Sequence, residues 1–260
     1  MNTRVCSVFA GLCGVAVFAL SAIPSGAQAT EVKEKPAMYS YVANWTIPAE
    51  HWGDVAKINA FDNTIFQAAL SDGTLVGYGN DVNMVHTPDG ESHDTWWSAT
   101  SLAGLLKVLD KLRGVDPSNS PHSLNPTKHW DLVLVGHYYN WKPGAYTGAY
   151  VNVAMYQLKP NADDDAVSTL SKSVVVPMLE KLLADGTILE YEVDTEAIHT
   201  DAPGMFAIVY VTPQAEGIDT VRAAIRASGH DNPLIGAAFD SFIDYTQHRD
   251  ELLKGNGAYK

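Results

Sequence analysis

Asp72–Thr87 reads DGTLVGYGNDVNMVHT, and Asp185–Thr200 reads DGTILEYEVDTEAIHT. The two stretches lie 113 residues apart, and seven of their sixteen positions are identical: Asp, Gly, Thr, Tyr, Asp, His and Thr. Leu75/Ile188, Val76/Leu189 and Val85/Ile198 are aliphatic exchanges. A period of this length is too long for a solenoid and matches a duplicated small domain. Each stretch opens on an Asp-Gly turn and continues with the period-two alternation of a strand.

Working outward from the first stretch, Tyr39–Ile47 is aromatic and β-branched and predicts a strand. Pro48 opens a helix whose apolar stripe is Trp52, Val55, Ala56, Phe66 and Leu70. The strand over 74–86 follows, then a loop at Thr87-Pro88-Asp89-Gly90, a return strand at His93–Ala99, and a helix capped by Thr100 or Ser101 and ending at Gly114. A loop spans 115–127, and Trp130–Tyr138 is the fourth strand. The second copy repeats this plan: a strand over 151–158, a helix over 163–183 broken at Pro177, the repeated stretch, a strand over 205–211, and a helix opened by Thr212-Pro213. In that helix the offset of 113 returns at Gly104/Gly217, Leu105/Ile218, Val108/Val221, Leu112/Ile225 and Arg113/Arg226. A strand over 237–245 and a terminal helix over 246–254 complete the reading.

Arg4, the apolar run 5–23 and Ala27-Gln28-Ala29 form a secretory signal cleaved after Ala29, so the chain is expected to be exported, to the periplasm or beyond. Both cysteines, Cys6 and Cys13, fall inside it, which leaves the mature chain without disulfides. Removing Arg4 leaves 16 basic against 30 acidic residues, a net charge of −14. Such a surface repels nucleic acid and anionic lipid. No second apolar run is long enough to span a bilayer once the signal is gone. The domain plan is therefore signal peptide 1–29, mobile lead-in 30–37, first repeat 38–140, and second repeat with a terminal helix 141–260.

Strand, helix, strand, strand, helix, strand is the order of the ferredoxin-like unit. The fold class is α+β: two tandem ferredoxin-like (βαββαβ) units packed as an intramolecular pseudo-dimeric α/β barrel. On the two DGT-to-HT segments and their aligned helices, the chain resembles the dimeric α/β-barrel superfamily. That superfamily includes small-molecule monooxygenases that act without cofactors and haem enzymes such as chlorite dismutases. The resemblance implies an exported small-molecule binder or cofactor-independent enzyme with an aromatic and histidine-lined cavity, taking a small apolar or aromatic ligand. The alternatives are a haem protein on the same fold, with His86, His93 or His137 as axial ligand, and a non-catalytic envelope scaffold.

Period two places Tyr78, Val82, Met84 and His86 on one side of the first strand, and Tyr191, Val193 and His199 on the matching side of the second. This is the more apolar side and is expected to face inward, with Asp81 and Asp194 pointing away. If the hairpin sets His86 opposite His93, Thr95 and Trp97 follow on the same face, and His137 approaches from the fourth strand. His86, His93 and His137 are thus the catalytic candidates, and Trp97, Tyr78, Thr95, His199 and Tyr191 the ligand-binding ones. The alternative for the two hairpin histidines is ordinary capping. The sequence holds no glycine-rich phosphate loop, nucleophile elbow, HExxH or paired-cysteine metal pattern. Asp163-Asp164-Asp165 reads as a favourable helix start, and His248-Arg249-Asp250-Glu251 as a solvated helix face.

Overall fold

A strand whose two faces are both buried must find a covering layer on each side, and the chain solves this with one sheet closed into a ring. The computed structural model describes residues 32–260 apart from 88, 89, 201, 202 and 232, with the side chains of 229–231, 234, 235 and 238 left aside. The expected signal segment, 1–29, lies outside the described residues. Residues 32–260 form one compact unit.

The elements are β1 (Met38–Thr46), α1 (Trp52–Ser71), β2 (Gly77–Asn83), β3 (His93–Ala99), α2 (Leu102–Arg113), β4 (Lys128–Trp141), β5 (Gly144–Leu158), α3 (Ala166–Leu170), α4 (Val176–Asp185), β6 (Glu190–Ile198), β7 (Met205–Thr212), α5 (Ala215–Asp231), α6 (Pro233–Phe242) and β8 (Ile243–Tyr259). A π turn at Ser171–Val175 joins α3 to α4 just ahead of Pro177, which supplies the expected break. The strands close a barrel in the order β1-β3-β2-β8-β5-β7-β6-β4. One half therefore runs β4-β1-β3-β2 and the other β8-β5-β7-β6. They are sewn together by antiparallel seams at β2–β8 and β4–β6.

The helices cover the outside. On α1, Val55, Ile58, Asp62, Phe66 and Ala69 are buried at spacings of three and four, so one stripe meets the sheet. Ser101 caps α2 by accepting a hydrogen bond from the Gly104 amide. The first helix-facing core gathers Tyr41, Phe66, Tyr78, Trp97, Leu105 and Val108, with Tyr41 stacked on Trp97 at 4.4 Å between ring centroids. The second gathers Leu179, Ile188, Tyr191, Phe206 and Val221.

The other face of every strand lines the barrel lumen, and here the expectation is corrected. The face carrying Tyr78, His93, Thr95, Trp97 and Tyr191 is the helix-facing one, whereas Asp81 and Asp194 point into the lumen together with Asp94, Glu190 and Glu192. The apolar side is buried beneath helices, and the barrel interior is acidic.

Three further expectations change. Residues 246–254 belong to strand β8, and 237–242 to helix α6. Leu252 and Leu253 beside charged residues imitate a helix, but β8 must span both β5 and β2 to close the ring. Strand β2 ends at Asn83 rather than His86, because the Asn83 side chain turns the chain by accepting from the Val85 amide and donating to Glu91. The lead-in is tied down where it is described: the Lys35 amide donates to the His137 carbonyl, the Tyr139 hydroxyl donates to the Pro36 carbonyl, and Glu34 pairs with Lys172 at 3.0 Å.

At each seam an aspartate sits against a glycine. Asp81 faces Gly255 in register, and Asp194 faces Gly136. A Cβ on Gly255 would lie 1.4 Å from Asp81 Oδ1 and 2.7 Å from the Asn80 carbonyl oxygen, whereas one on Gly136 would meet Asp194 Oδ1 at 2.4 Å but backbone no nearer than 3.2 Å. Gly255→Ala is therefore expected to cost about 1–3 kcal/mol or more, and Gly136→Ala less, since Asp194 can shift and backbone cannot. Urea unfolding of both variants checks the order.

Candidate functional site

Beneath the helices of each half lies a cavity, and the same three-residue device stands on the wall of both. In the first half, His129 and Asp131 are two apart on β4 and so share a face. His129 stacks flat on Trp45 of β1, with centroids 3.6 Å apart and planes 9° from parallel. Its Nδ1 lies 3.0 Å from the Asn44 carbonyl oxygen, and its Nε2 lies 3.4 Å from Asp131 Oδ1. In the second half, His248 and Asp250 occupy β8, and His248 stacks on Tyr156 of β5 at 4.4 Å and 11°. Its Nδ1 lies 2.8 Å from the Met155 carbonyl oxygen and its Nε2 3.6 Å from Asp250 Oδ1.

A carbonyl oxygen can only accept, so Nδ1 carries hydrogen in both rings. Nε2 then faces a carboxylate, 3.4 Å away in the first half and 3.6 Å in the second. Each His–Asp pair is thus oriented by main chain and aromatic stacking.

The first cavity holds about 310 Å³ of space for water-sized centres. Tyr41, Trp45, Trp97 and His122 supply aromatic walls, and His122 meets Trp45 edge-on at 4.9 Å. Arg113 from the end of α2 is its cation. Asp62 on α1, only 5 % exposed, also lines it, and burial pushes its carboxyl up to about 7. Burial, with Asp131 adding to it, raises the Tyr41 hydroxyl. The buried Trp45 Nε1 has no hydrogen-bond partner among the described residues. A proton-accepting pair, a carboxyl titrating near neutrality, a guanidinium and an unpaired indole N–H therefore surround one aromatic space. The second cavity is larger, about 560 Å³, and more apolar, with Met178, Leu179 and Phe239 beside Tyr210 and Arg222.

The candidates read from the sequence distribute unevenly. Thr95 and Trp97 line the first cavity. Tyr78 packs on Phe66 at 5.3 Å. Tyr191 donates to Glu180 at 2.6 Å from within the second core. His93 pairs across the strands with Val82, not with His86. The two histidines meet only through Trp52, at 5.0 Å for His86 and 5.7 Å for His93. His93 borders a space of about 10 Å³, too small for a ligand, and burial with the nearby His86 pushes its ring down to about 4. His137 sits at the register shift between Gly136 and Tyr138, which turns it outward to bond the Lys35 carbonyl oxygen. His199 is exposed past the end of β6. Sequence reasoning passed over His129 and Asp131 and took His248 and Asp250 for a solvated helix face, although His-x-Asp recurs at a constant offset of 119, an offset shared by Gly136 and Gly255.

The lumen has its own electrostatics. Asp81 and Asp94 are direct cross-strand neighbours, and burial raises both, Asp81 to about 7. Burial also raises Glu190 and Asp194 and pushes Glu192 and Glu251 to about 8. Among the described residues no group of three or more His, Cys, Asp or Glu is placed to hold a metal ion. No described helix is long and apolar enough to cross a membrane.

The α+β fold, a closed barrel of eight antiparallel strands, is shared with solved structures. A protein assigned as a monooxygenase from Lactobacillus acidophilus superposes with a TM-score of 0.60 at 14 % identity, over 86 % of this chain and 96 % of its own. An anthrone oxidase-like protein superposes at 0.50 and 9 % identity, over 85 % and 92 %. A protein assigned as a chlorite dismutase does so at 0.51 and 10 % identity, over 84 % and 94 %. At such identities these likenesses establish the fold alone. No protein-family model matches the sequence, and no curated protein matches it either.

The lumen carboxyls fix a sign for pH dependence. Their unfolded values lie near 4 and their folded values at 7–8 or above, so the folded state holds the extra protons between those limits. The stability they contribute is whole below about 4 and is lost as pH rises through the folded values. His93 opposes this only between about 4 and 6.5, where the unfolded ring binds a proton that the folded one refuses. Between pH 6.5 and 8 stability should therefore fall, and Glu192→Gln should flatten the fall. Urea midpoints across that range measure it.

Proposed function

We propose that the first-half cavity binds a small aromatic molecule with an acidic C–H or O–H and removes that proton. Asp131 presents the accepting carboxylate, and His129 takes the proton at Nε2, held in place by the Asn44 carbonyl and the Trp45 ring. Asp62 is a second proton carrier on the α1 side, and Arg113 draws the negative charge that develops. The observation that carries this reading is the His–Asp pair stacked on an aromatic ring at a cavity wall, an arrangement that recurs in both halves.

The oxygenase names carried by the fold neighbours agree with it. With dioxygen as oxidant, a deprotonated CH2 between aromatic carbons becomes C=O and one water leaves, which balances without a protein-bound cofactor. We also read the two halves as tandem ferredoxin-like units, from their strand orders. Residues 1–29 are read as an export signal, which would place this activity in the periplasm or outside the cell.

The residues do not fit the haem alternative. His129 and His248 have both ring nitrogens engaged, His93 lacks room beside it, and His137 and His86 lie on the surface. None of His86, His93 and His137, the three expected axial ligands, lines either helix-side cavity.

Titrating aromatic ketones and phenols against the intrinsic fluorescence of Trp45 and Trp97 reports binding. His129→Gln and Asp131→Asn should leave affinity within a few fold but slow turnover about 10²–10⁴-fold. Equal loss of binding and turnover would reduce the pair to a packing element.

A further inference from the structure

The barrel lumen is a second site, separate from the helix-side cavities. Among the described residues, seven carboxylic side chains line it against one cation, Arg249. Asp81 and Asp194 are equivalent under the duplication and stand on β2 and β6, four places apart in the ring of eight. They therefore face each other across the lumen, each seated over a glycine that leaves its carboxylate room. Asp94 joins the first and Glu190 and Glu192 the second, which gives two acidic walls. Between them the rings of Trp96, Tyr146 and Tyr259 form an aromatic belt.

An acidic cluster alone needs no ligand, because its members can share protons. Tyr146 says more. Its buried hydroxyl borders the lumen and has no hydrogen-bond partner among the described residues. Glu190, 1 % exposed, has the Glu192 carboxyl as its side-chain partner. A buried polar group left open, as the Tyr146 hydroxyl is, ordinarily meets a bound species. The space there is about 90 Å³, enough for several small atoms.

The placement of the lining residues selects the ligand class. A divalent ion needs several oxygens converging on one point, and no three acidic or imidazole groups so converge among the described residues. Two separated acidic walls with an aromatic and aliphatic middle suit an elongated dication instead: ammonium groups at the ends and methylenes against Trp96, Val151, Val209 and Leu253. A surface depression of about 240 Å³ shares Leu132, Met155, Met205 and Arg249 with the lumen and gives it a mouth. Arg249, with Nε 3.7 Å from Glu251 and Nη2 3.2 Å from Met155 Sδ, holds that mouth as a resident cation.

The geometry points to the lumen as a binding site for a linear aliphatic diamine, one ammonium on the Asp81–Asp94 wall and the other on the Glu190–Asp194 wall. The site is independent of the aromatic-ligand reading of the helix-side cavity.

Calorimetry and thermal melting of the full chain with 1,4-diaminobutane test this, with butylamine, 1,4-butanediol and calcium chloride as comparators. The diamine should bind with one equivalent and raise the melting temperature, the monoamine should bind at least tenfold more weakly, and the diol not at all. Glu190→Gln and Asp194→Asn remove a buried ionisable carboxyl at constant shape, so they should fold and melt no lower than the parent without ligand. Each should weaken the diamine at least tenfold. Absence of binding at millimolar diamine would overturn the site. So would binding undiminished in both variants, which would mark adsorption to the acidic surface. Calcium binding lost in the same variants, in place of diamine binding, would overturn the ligand class.

Discussion

Everything in this structure depends on the closure of one antiparallel sheet into a ring. Each strand then has two buried faces, and each face has its own covering layer: helices outside, the opposite wall of the barrel inside. The seams make closure demanding. At β2–β8 and at β4–β6 an aspartate meets a glycine in register, and a methyl group at either glycine would collide with it. The same aspartate–glycine contact therefore recurs at both seams between the halves.

Closure also separates two chemistries that share the same strands. Along β4, the side chains of His129 and Asp131 point to the helices while Trp130 and Leu132 point to the lumen. Along β8, His248 and Asp250 alternate with Arg249 and Glu251 in the same way. One residue of slip would exchange every one of them between the faces. The helix side gains an oriented proton acceptor with aromatic walls. The lumen concentrates carboxyls whose burial keeps protons on them well above the usual carboxylate range.

Much of the fold was legible because packing preserves pattern. The repeated DGT-to-HT stretch, the leucine stripe of α2 and the return strand His93–Ala99 all follow from side chains that the helix-facing core requires. The lumen was misread for a physical reason. Apolarity is the usual guide to the inside, and a barrel filled with Asp81, Asp94, Glu190, Glu192 and Asp194 looks in sequence like a solvated surface. The same inversion hid β8, whose charged and glycine positions resemble a surface helix followed by a tail. The site was half legible. Thr95 and Trp97 do line a cavity, but the hairpin histidines do not, because Asn83 turns the chain three residues early. The functional pair lay in His-x-Asp, a motif too short to notice until its offset of 119 is set beside that of Gly136 and Gly255.

The account turns on whether the Asp131–His129 pair moves a proton of a bound aromatic molecule. Exchange of deuterium from solvent into the acidic CH2 of an aromatic ketone, followed by NMR without oxygen, isolates that step from any oxidation. The account predicts exchange accelerated by the protein, reduced at least a hundredfold in Asp131→Asn, and unaffected by Glu190→Gln in the lumen. Exchange no faster than in buffer, with the ketone shown to be bound, would contradict it.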